Sequence, residues 1–370
     1  MQSESSKGRA AWKGIVATIA LVTVISSSAW VLTDTGNSEV APAFRIEAAL
    51  PSDCLLHLSY DGVMAAKNCR SLALAQLWEE PQMKNFVKPG LSMLNEVTGE
   101  MEAQLGEMGF TMQDVEALAK GRITATLVDF AMPDPNRPPV VDVVITLDLA
   151  SNQELVGRLS QFVSGMVENQ MGVAPTQVDI NGHVGIQVDL DGLPVTWAAA
   201  GGHLIAGTNV ATLGAVLDRV KAGAGTGGLI ENAEFSTAMK RCAPYGHVGW
   251  VYANVRKALA TVKASPAGED SDFQEFMGIM SLLGVDSFGS IGYGMGFEGR
   301  AIVERMHVSM PDGAKGLYKH MPLAQGELRT ASMAPRESFL YEGFLIDLHG
   351  LAKSGMEALA AYDQSMADDV

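Results

Sequence analysis

Histidine is the side chain best fitted to move protons or hold a metal near neutral pH, and this chain carries seven, spread singly. His57 and His247 lie in apolar, strand-like stretches, yet neither has a His, Cys or carboxylate neighbour at ligand spacing. Both read as histidines satisfied within a strand. Asp179, Asp189 and Asp191 gather around one hairpin, but their D-L-D-G fragment lacks the terminal Glu of a calcium loop. They read as a solvated strand face.

Gly294–Gly299 (GMGFEG) matches G-x-G-x-x-G literally, whereas a dinucleotide site needs a helix to open at the third glycine. The residues that follow, AIVERMHVSM, read as a strand. Gly289, Gly292, Gly294 and Gly296 therefore read as places of close backbone approach or a bulge. Ala222–Gly228 (AGAGTGG) lacks the Lys and the Ser or Thr of a phosphate loop and reads as a flexible connection. Ser290 has glycine on one side only, and no His–Asp arrangement can be assigned to it. The residue types nominate no catalytic, cofactor-binding or metal-binding position.

Three cysteines, Cys54, Cys69 and Cys242, are too few for a disulfide framework. Cys54 and Cys69 are the closer pair, on an expected strand and the helix after it. A bridge between them and buried free thiols both fit the sequence.

The elements that must position these residues follow from period and punctuation. Cys54–Tyr60 reads as a strand, Val63–Trp78 as a helix, and Gln82–Met108 as a long helical region broken at Pro89–Gly90. Thr111 with Asp114, and Ser151 with Glu154, look like capping boxes, and Gly121 closes the first of these helices. Arg122–Phe130 and Val140–Leu149 read as strands, with Val141, Val143, Ile145 and Leu147 on one face. The proline-rich loop between them, around Pro133–Pro139, projects into solvent. Asn181–Gly182, Asp191–Gly192 and Gly201–Gly202 punctuate an antiparallel meander. Asn209 caps the next helix, and Ser271 with Gln274 another, Asp272–Leu283. Strands Ser287–Phe297, Arg300–Met310 and Phe339–Asp347 follow, and an amphipathic helix closes the chain. The methionines, among them Met93, Met101, Met108, Met112, Met166 and Met171, read as core filler; the alternative is the lining of an apolar groove.

Ahead of the folded body stands Gly14–Leu32, nineteen residues without a charge, preceded by Lys7, Arg9 and Lys13. As a helix it would be about 28 Å long, close to a hydrocarbon core of about 30 Å. The basic flank keeps the N-terminus in the cytoplasm and sends the rest outside. Trp30 and the length of the run favour an uncleaved anchor, whereas Ser27 and Ala29 offer a signal-peptide cleavage pattern. The expected organisation is a basic region 1–13, the anchor or signal 14–32, a linker 33–47, a first lobe 48–222, a Gly-rich connection 223–232 and a second lobe 233–370.

Hydrophobic residues make up 47% of the chain and charged ones 18%, which describes a packed protein. A net charge of −16 argues against nucleic acid and against anionic headgroups as partners. One pattern also recurs. Pro51 precedes Asp61 by ten residues, Pro244 precedes Asn254 by ten, and Pro335 precedes Asp347 by twelve, each pair spanning an apolar strand. The first two units continue alike, into helices and then a pair of β-branched strands, so duplicated strand–helix units are expected, with the third partial.

LPSDCLLHLSYDGV, LALAQLWEEPQMKNF and GFTMQDVEALAKGRITATLV, with GGHLIAGTNVATLGAVLDRVKAG and LIENAEFSTAMKRCAP further on, resemble an uncharacterised family of exported bacterial proteins, DUF3352-like. The likeness runs from Ala48 to Leu259 and rests on apolar strands and small residues. It implies an envelope location and a fold, and brings no catalytic residue with it. The expected class is α+β: antiparallel sheets with helices on one side, in two related lobes. The expected function is a non-catalytic envelope protein, anchored or secreted, with a binding or structural role. A carrier of an apolar ligand such as a lipid, in a helix–sheet groove, is the alternative, and an extracytoplasmic hydrolase is a weaker one.

Overall fold

The computed structural model describes residues 45–61, 109–131, 140–149, 152–190, 192–223, 226–242, 247–298 and 301–320, with single residues or short runs between 76 and 106 and between 349 and 356. The leader Gly14–Leu32, the helix expected at Val63–Trp78, nearly all of Gln82–Met108, the Pro133–Pro139 loop and the strand Phe339–Asp347 lie outside the described residues. Among the described residues no helix is long and apolar enough to cross a membrane.

Among the described residues, alternating β-branched and aromatic residues form ten strands: β1 (Leu56–Tyr60), β2 (Arg122–Ala131), β3 (Val140–Asp148), β4 (Thr176–Ile180), β5 (His183–Leu190), β6 (Leu193–Ala200), β7 (His203–Gly207), β8 (His247–Ala253), β9 (Ser290–Glu298) and β10 (Ala301–Ser309). They make one sheet in the order β10-β9-β8-β1-β2-β3-β7-β6-β5-β4. From β9 across to β4, each neighbouring pair runs antiparallel. The architecture is α+β. The turn residues act as their types dictate: Asn181–Gly182 (φ 53° and 79°) and Gly201–Gly202 (φ 57° and 84°) supply the positive φ that two-residue hairpins need.

Helices start where a side-chain oxygen meets free amides. Thr111 and Asp114 form the expected reciprocal box on α1 (Met112–Lys120). For α2 (Gln153–Met166) the cap is Asn152, whose Oδ1 accepts from the Leu155 amide. Asn209 caps α3 (Val210–Ala222). Asn232 accepts from the Phe235 amide at the start of α4 (Ala233–Cys242). α5 (Val255–Lys263) follows, and α6 (Ser271–Leu283) is capped by Asp270 instead of Ser271. A carboxylate one residue earlier is the better acceptor for the amides of Asp272 and Phe273.

The chain clusters into two compact units: Met1–Ala131, Pro139–Asn254 and Ile291–His307, and then Met132–Pro138, Val255–Ser290 and Val308–Val370. In the second, Phe288 meets Tyr318 edge-on at 4.8 Å, and Arg256 donates to Asp312 at 2.9 Å. In the first, the sheet divides the packing into two layers, and helices lie on both faces, not one. Leu213, Val216 and Leu217 of α3 and Phe235 of α4 pack with Val144, Ala198, Ile205 and Trp250. On the opposite face, Val163 of α2 and Val167 pack with Trp197 and Val188. One-sided packing was expected from apolar stripes; here both faces of β3, β6 and β7 carry apolar residues, so both attract helices.

The entry to the body is also tighter than a linker. Residues 46–50 are buried and pass beside Gly228, where Pro51 bridges to the strand-like backbone and Leu229 donates to the Leu50 carbonyl at 2.9 Å. A Cβ on Gly228 would lie 2.0 Å from the Ala48 carbonyl oxygen, so this end of the Gly-rich stretch is a packing position.

Candidate functional site

Successive strand residues point to opposite faces, and β1 separates its two kinds of side chain completely. His57 and Ser59 face one way and are buried, while Leu56, Leu58 and Tyr60 face the other and are not. The pairing carries this division across neighbouring strands. His57 pairs with Thr126 and Tyr252, Ser59 with Thr124 and Trp250, and Thr124 in turn with Thr146. All of these are buried.

The His57 face is therefore a buried layer rich in polar groups. His57 Nδ1 lies 2.9 Å from Thr126 Oγ1, and the hydroxyls of Thr124 and Thr146 are 2.7 Å apart. Above them sits Glu47, in a turn of 3-10 helix (Ile46–Ala48) and fully buried. Arg122, at the start of β2, forks onto both carboxylate oxygens of Glu47, Nη1 at 3.0 Å, and its Nε also reaches Asp61 at 2.6 Å and Ser59 Oγ at 3.2 Å. Burial would raise the Glu47 pKa, but the charge of Arg122, with His57 and Arg45, outweighs it and holds the carboxyl below its ordinary value. His57 Nε2 is 3.9 Å from Glu47 Oε1, and its ring meets Phe235 edge-on at 5.5 Å. The cluster ties the entry segment to the sheet. It is a structural clamp, with Glu47 and Arg122 at its centre.

The Leu58 face is the converse. Ile291, Ala253, Leu56, Leu127 and Val143 line up across β9, β8, β1, β2 and β3; beside them run Tyr293, Val251, Leu58, Ala125 and Ile145, and then Met295, Gly249, Tyr60, Ile123 and Leu147. No charged side chain stands in these three rows, and none of their residues is buried. Leu58 is 40% exposed, and Ile145 and Tyr293 are each 37% exposed. The middle row continues through Ala206 to Trp197, which is only 3% exposed because α2 lies over it. Trp197 Nε1 donates to Ser160 Oγ of α2 at 3.2 Å. At about 4.8 Å per strand and about 6.8 Å per row, the open part covers roughly 24 by 20 Å, about 500 Å². That matches the largest apolar patch of a typical monomer, about 300–600 Å², which is often functional.

The residues singled out from the sequence fall elsewhere. Asp179 and Asp189 accept from the amides of Gly182 and Gly192 and so shape hairpin turns; Asp191 lies outside the described residues. Among the described residues no group of three or more His, Cys, Asp or Glu could hold a metal. Gly292 and Gly294 permit the close approach expected of them: a Cβ would lie 2.9 Å from Ala238 Cβ and 2.7 Å from the Cys242 carbonyl. Ser290 is fully buried in β9. Cys54 is buried, and burial pushes the Cys242 thiol up. Cys69 lies outside the described residues, so the Cys54–Cys69 pair remains an expectation. Sequence reasoning missed Glu47, which was assigned to the linker 33–47, and Arg122. The only signal for Glu47 was a lone acid inside the apolar run Ile46–Leu50.

Two further ion pairs position the helices. Arg158 of α2 forks onto Asp114 of α1, Nη2 at 2.6 Å and Nη1 at 2.9 Å, and Arg158 with Thr111 holds the Asp114 carboxyl at a pKa of about 2. His203 Nε2 is 3.5 Å from Asp148. Burial would lower the His203 pKa, but Asp148 outweighs it and raises it. No family model, curated protein or solved structure matches the chain.

Proposed function

We propose that the protein is a non-catalytic binding module of the bacterial envelope, which presents the Leu58 face to an apolar partner. The observation that carries this is the uncharged, incompletely buried surface over β9, β8, β1, β2 and β3, on strands whose His57, Ser59, Thr124, Thr126 and Thr146 face the interior. A sheet that turns its serine and threonine hydroxyls inward and leaves leucine and isoleucine outward gains when something apolar covers the outward side. Residues Gly14–Leu32 act as tether or export signal in this reading, with the body outside the cytoplasm, in keeping with the resemblance to an exported DUF3352-like family.

The same reading takes β1 and β8, each with the strands after it, as two copies of one unit. Their pairing supports this: Leu58 lies opposite Val251, the Asp61 amide donates to the Val248 carbonyl, and the Asn254 amide donates reciprocally to the Leu55 carbonyl, both at 2.9 Å. With Pro51 matched to Pro244, each partner in these bonds is the counterpart of the other.

Binding of the dye bis-ANS to the folded chain tests the assignment. The native chain is expected to bind saturably, and Leu58→Asp with Ile145→Asp to lose most of the signal while keeping its far-ultraviolet circular dichroism. Equal dye binding by native and variant chains would remove the Leu58 face as the site.

A further inference from the structure

We infer that Asn181–Gly182 is a built-in modification site: Asn181 cyclises onto the Gly182 nitrogen, slowly and without an enzyme, and α3 restrains the reaction through Asp218. The step is the only Asn-Gly in the chain, and glycine has no side chain to screen its nitrogen from the neighbouring carboxamide. Asn181 is exposed, so water reaches it, and among the described residues it is the one non-glycine with positive φ (53°). In the reaction the Gly182 nitrogen attacks Asn181 Cγ. A C–N bond forms there, the Cγ–Nδ2 bond breaks, and ammonia leaves with the proton that the Gly182 amide gives up. Water then opens the succinimide ring at either carbonyl, leaving aspartate or isoaspartate at this position.

The fold opposes that step. Asn181 Nδ2 donates to Asp218 Oδ2 of α3 at 3.1 Å, and the Gly182 amide donates to Asp179 Oδ1 at 3.0 Å. Ring closure costs both bonds, because Nδ2 departs and the Gly182 nitrogen loses its hydrogen. His183 Nε2 lies 3.1 Å from Asp218 Oδ1, so one carboxylate grips both flanks of the turn. The hydrogen bonds from Asn181 and then His183 hold the Asp218 carboxyl below its ordinary value, which keeps it ionised. Attack on Cγ puts negative charge on the carboxamide oxygen, and the nearby Asp179 and Asp218 carboxylates disfavour it, the reverse of an oxyanion hole. Gly214 makes the seat. A Cβ there would lie 2.7 Å from Asn181 Nδ2, so the carboxamide rests directly on the helix.

Reaction undoes the turn in which it occurs. Either product sets a carboxylate beside Asp218 where an amide donor stood, and the two repel. Isoaspartate also adds a backbone carbon to a two-residue turn whose geometry fixes the β4–β5 register. β4 is an edge strand with β5 as its one neighbour in the sheet, so the change loosens this hairpin from α3 and leaves the inner strands paired.

The test incubates the full chain in mildly alkaline buffer made with heavy-oxygen water and follows Asn181 by peptide mass spectrometry, with isoaspartate separated from aspartate by chromatography. The native chain is expected to react at Asn181 more slowly than the chain unfolded in guanidinium. Asp218→Ala should speed the native reaction about tenfold, through loss of one charged hydrogen bond and one opposing charge. Asp218→Asn, which keeps the shape and removes the charge, should give a smaller increase with the circular dichroism unchanged. Gly214→Ala, which pushes the carboxamide off its seat, should act in the same direction. Asp114→Asn, which weakens the fold elsewhere, should leave the rate as it is. In the reacted chain the amides of β4 and β5 should exchange faster with deuterium, and those of β1 and β2 should not. The inference is overturned if native and unfolded chains react at one rate, or if neither Asp218 variant changes the rate. It is overturned equally if Asp114→Asn speeds the reaction as much, since global unfolding would then be the gate. Identical exchange in reacted and unreacted chains would overturn the loosening of the hairpin.

Discussion

The two ends of the Leu58 face use the same kinds of residue and meet different fates. Over β5, β6 and β7, α2 crosses the sheet and Trp197 is 3% exposed; four strands away along the same row, Leu58 is 40% exposed. Covered apolar side chains stabilise the fold by burial, whereas those left open contribute little to it and remain available to a partner. The opposite face beneath β1 and β2 shows why the open end persists. There the helices and the entry segment pack over threonines, His57 and the Glu47–Arg122 pair, so the interior at this end is polar, held by hydrogen bonds and an ion pair.

The largest expected effect comes from breaking that interior. Arg122→Met leaves Glu47 buried without its countercharge, and should destabilise the chain by about 3–5 kcal/mol in urea unfolding. A loss under ~1 kcal/mol would mean that water or another cation reaches Glu47. Next, the two ends of the row can be compared by truncation: Trp197→Ala should cost about 3–5 kcal/mol and Leu58→Ala less than ~1 kcal/mol. Similar costs at both positions would erase the distinction between covered and open ends.

Asp114→Asn should cost less, about 1–2 kcal/mol, since it weakens one charged fork and one helix cap. Its pH dependence has a fixed sign. An unfolded Asp titrates near 3.8 and Asp114 in the fold near 2, so its stabilisation is complete above 3.8 and is lost as pH falls towards 2. The native chain should lose stability to acid more steeply across that window than the variant. Parallel acid limbs would remove the Arg158 fork as the source.

Much of the fold was legible in the sequence because its signals are local. Asn181–Gly182, Gly201–Gly202, Thr111 with Asp114 and Asn209 act through their own backbone neighbours, and each sits where its chemistry put it. Burial is not local. Alternation puts Val143, Ile145 and Leu147 on one face of β3, yet Val144 and Thr146 on the other face are the fully buried ones. Which face is covered depends on where α3, α4 and the entry segment dock, and alternation within one strand carries no information about that. The same reason hid Glu47, whose burial is explained by Arg122, distant in sequence and adjacent in space.

The most direct test of the central claim is the unfolding free energy of Leu58→Asp combined with Ile145→Asp. If the Leu58 face is open for a partner, two carboxylates there remain in water and the variant should lie within about 1 kcal/mol of the native chain. A loss of more than ~4 kcal/mol, as for charges forced into a core, would contradict the account and make this face part of the folded interior.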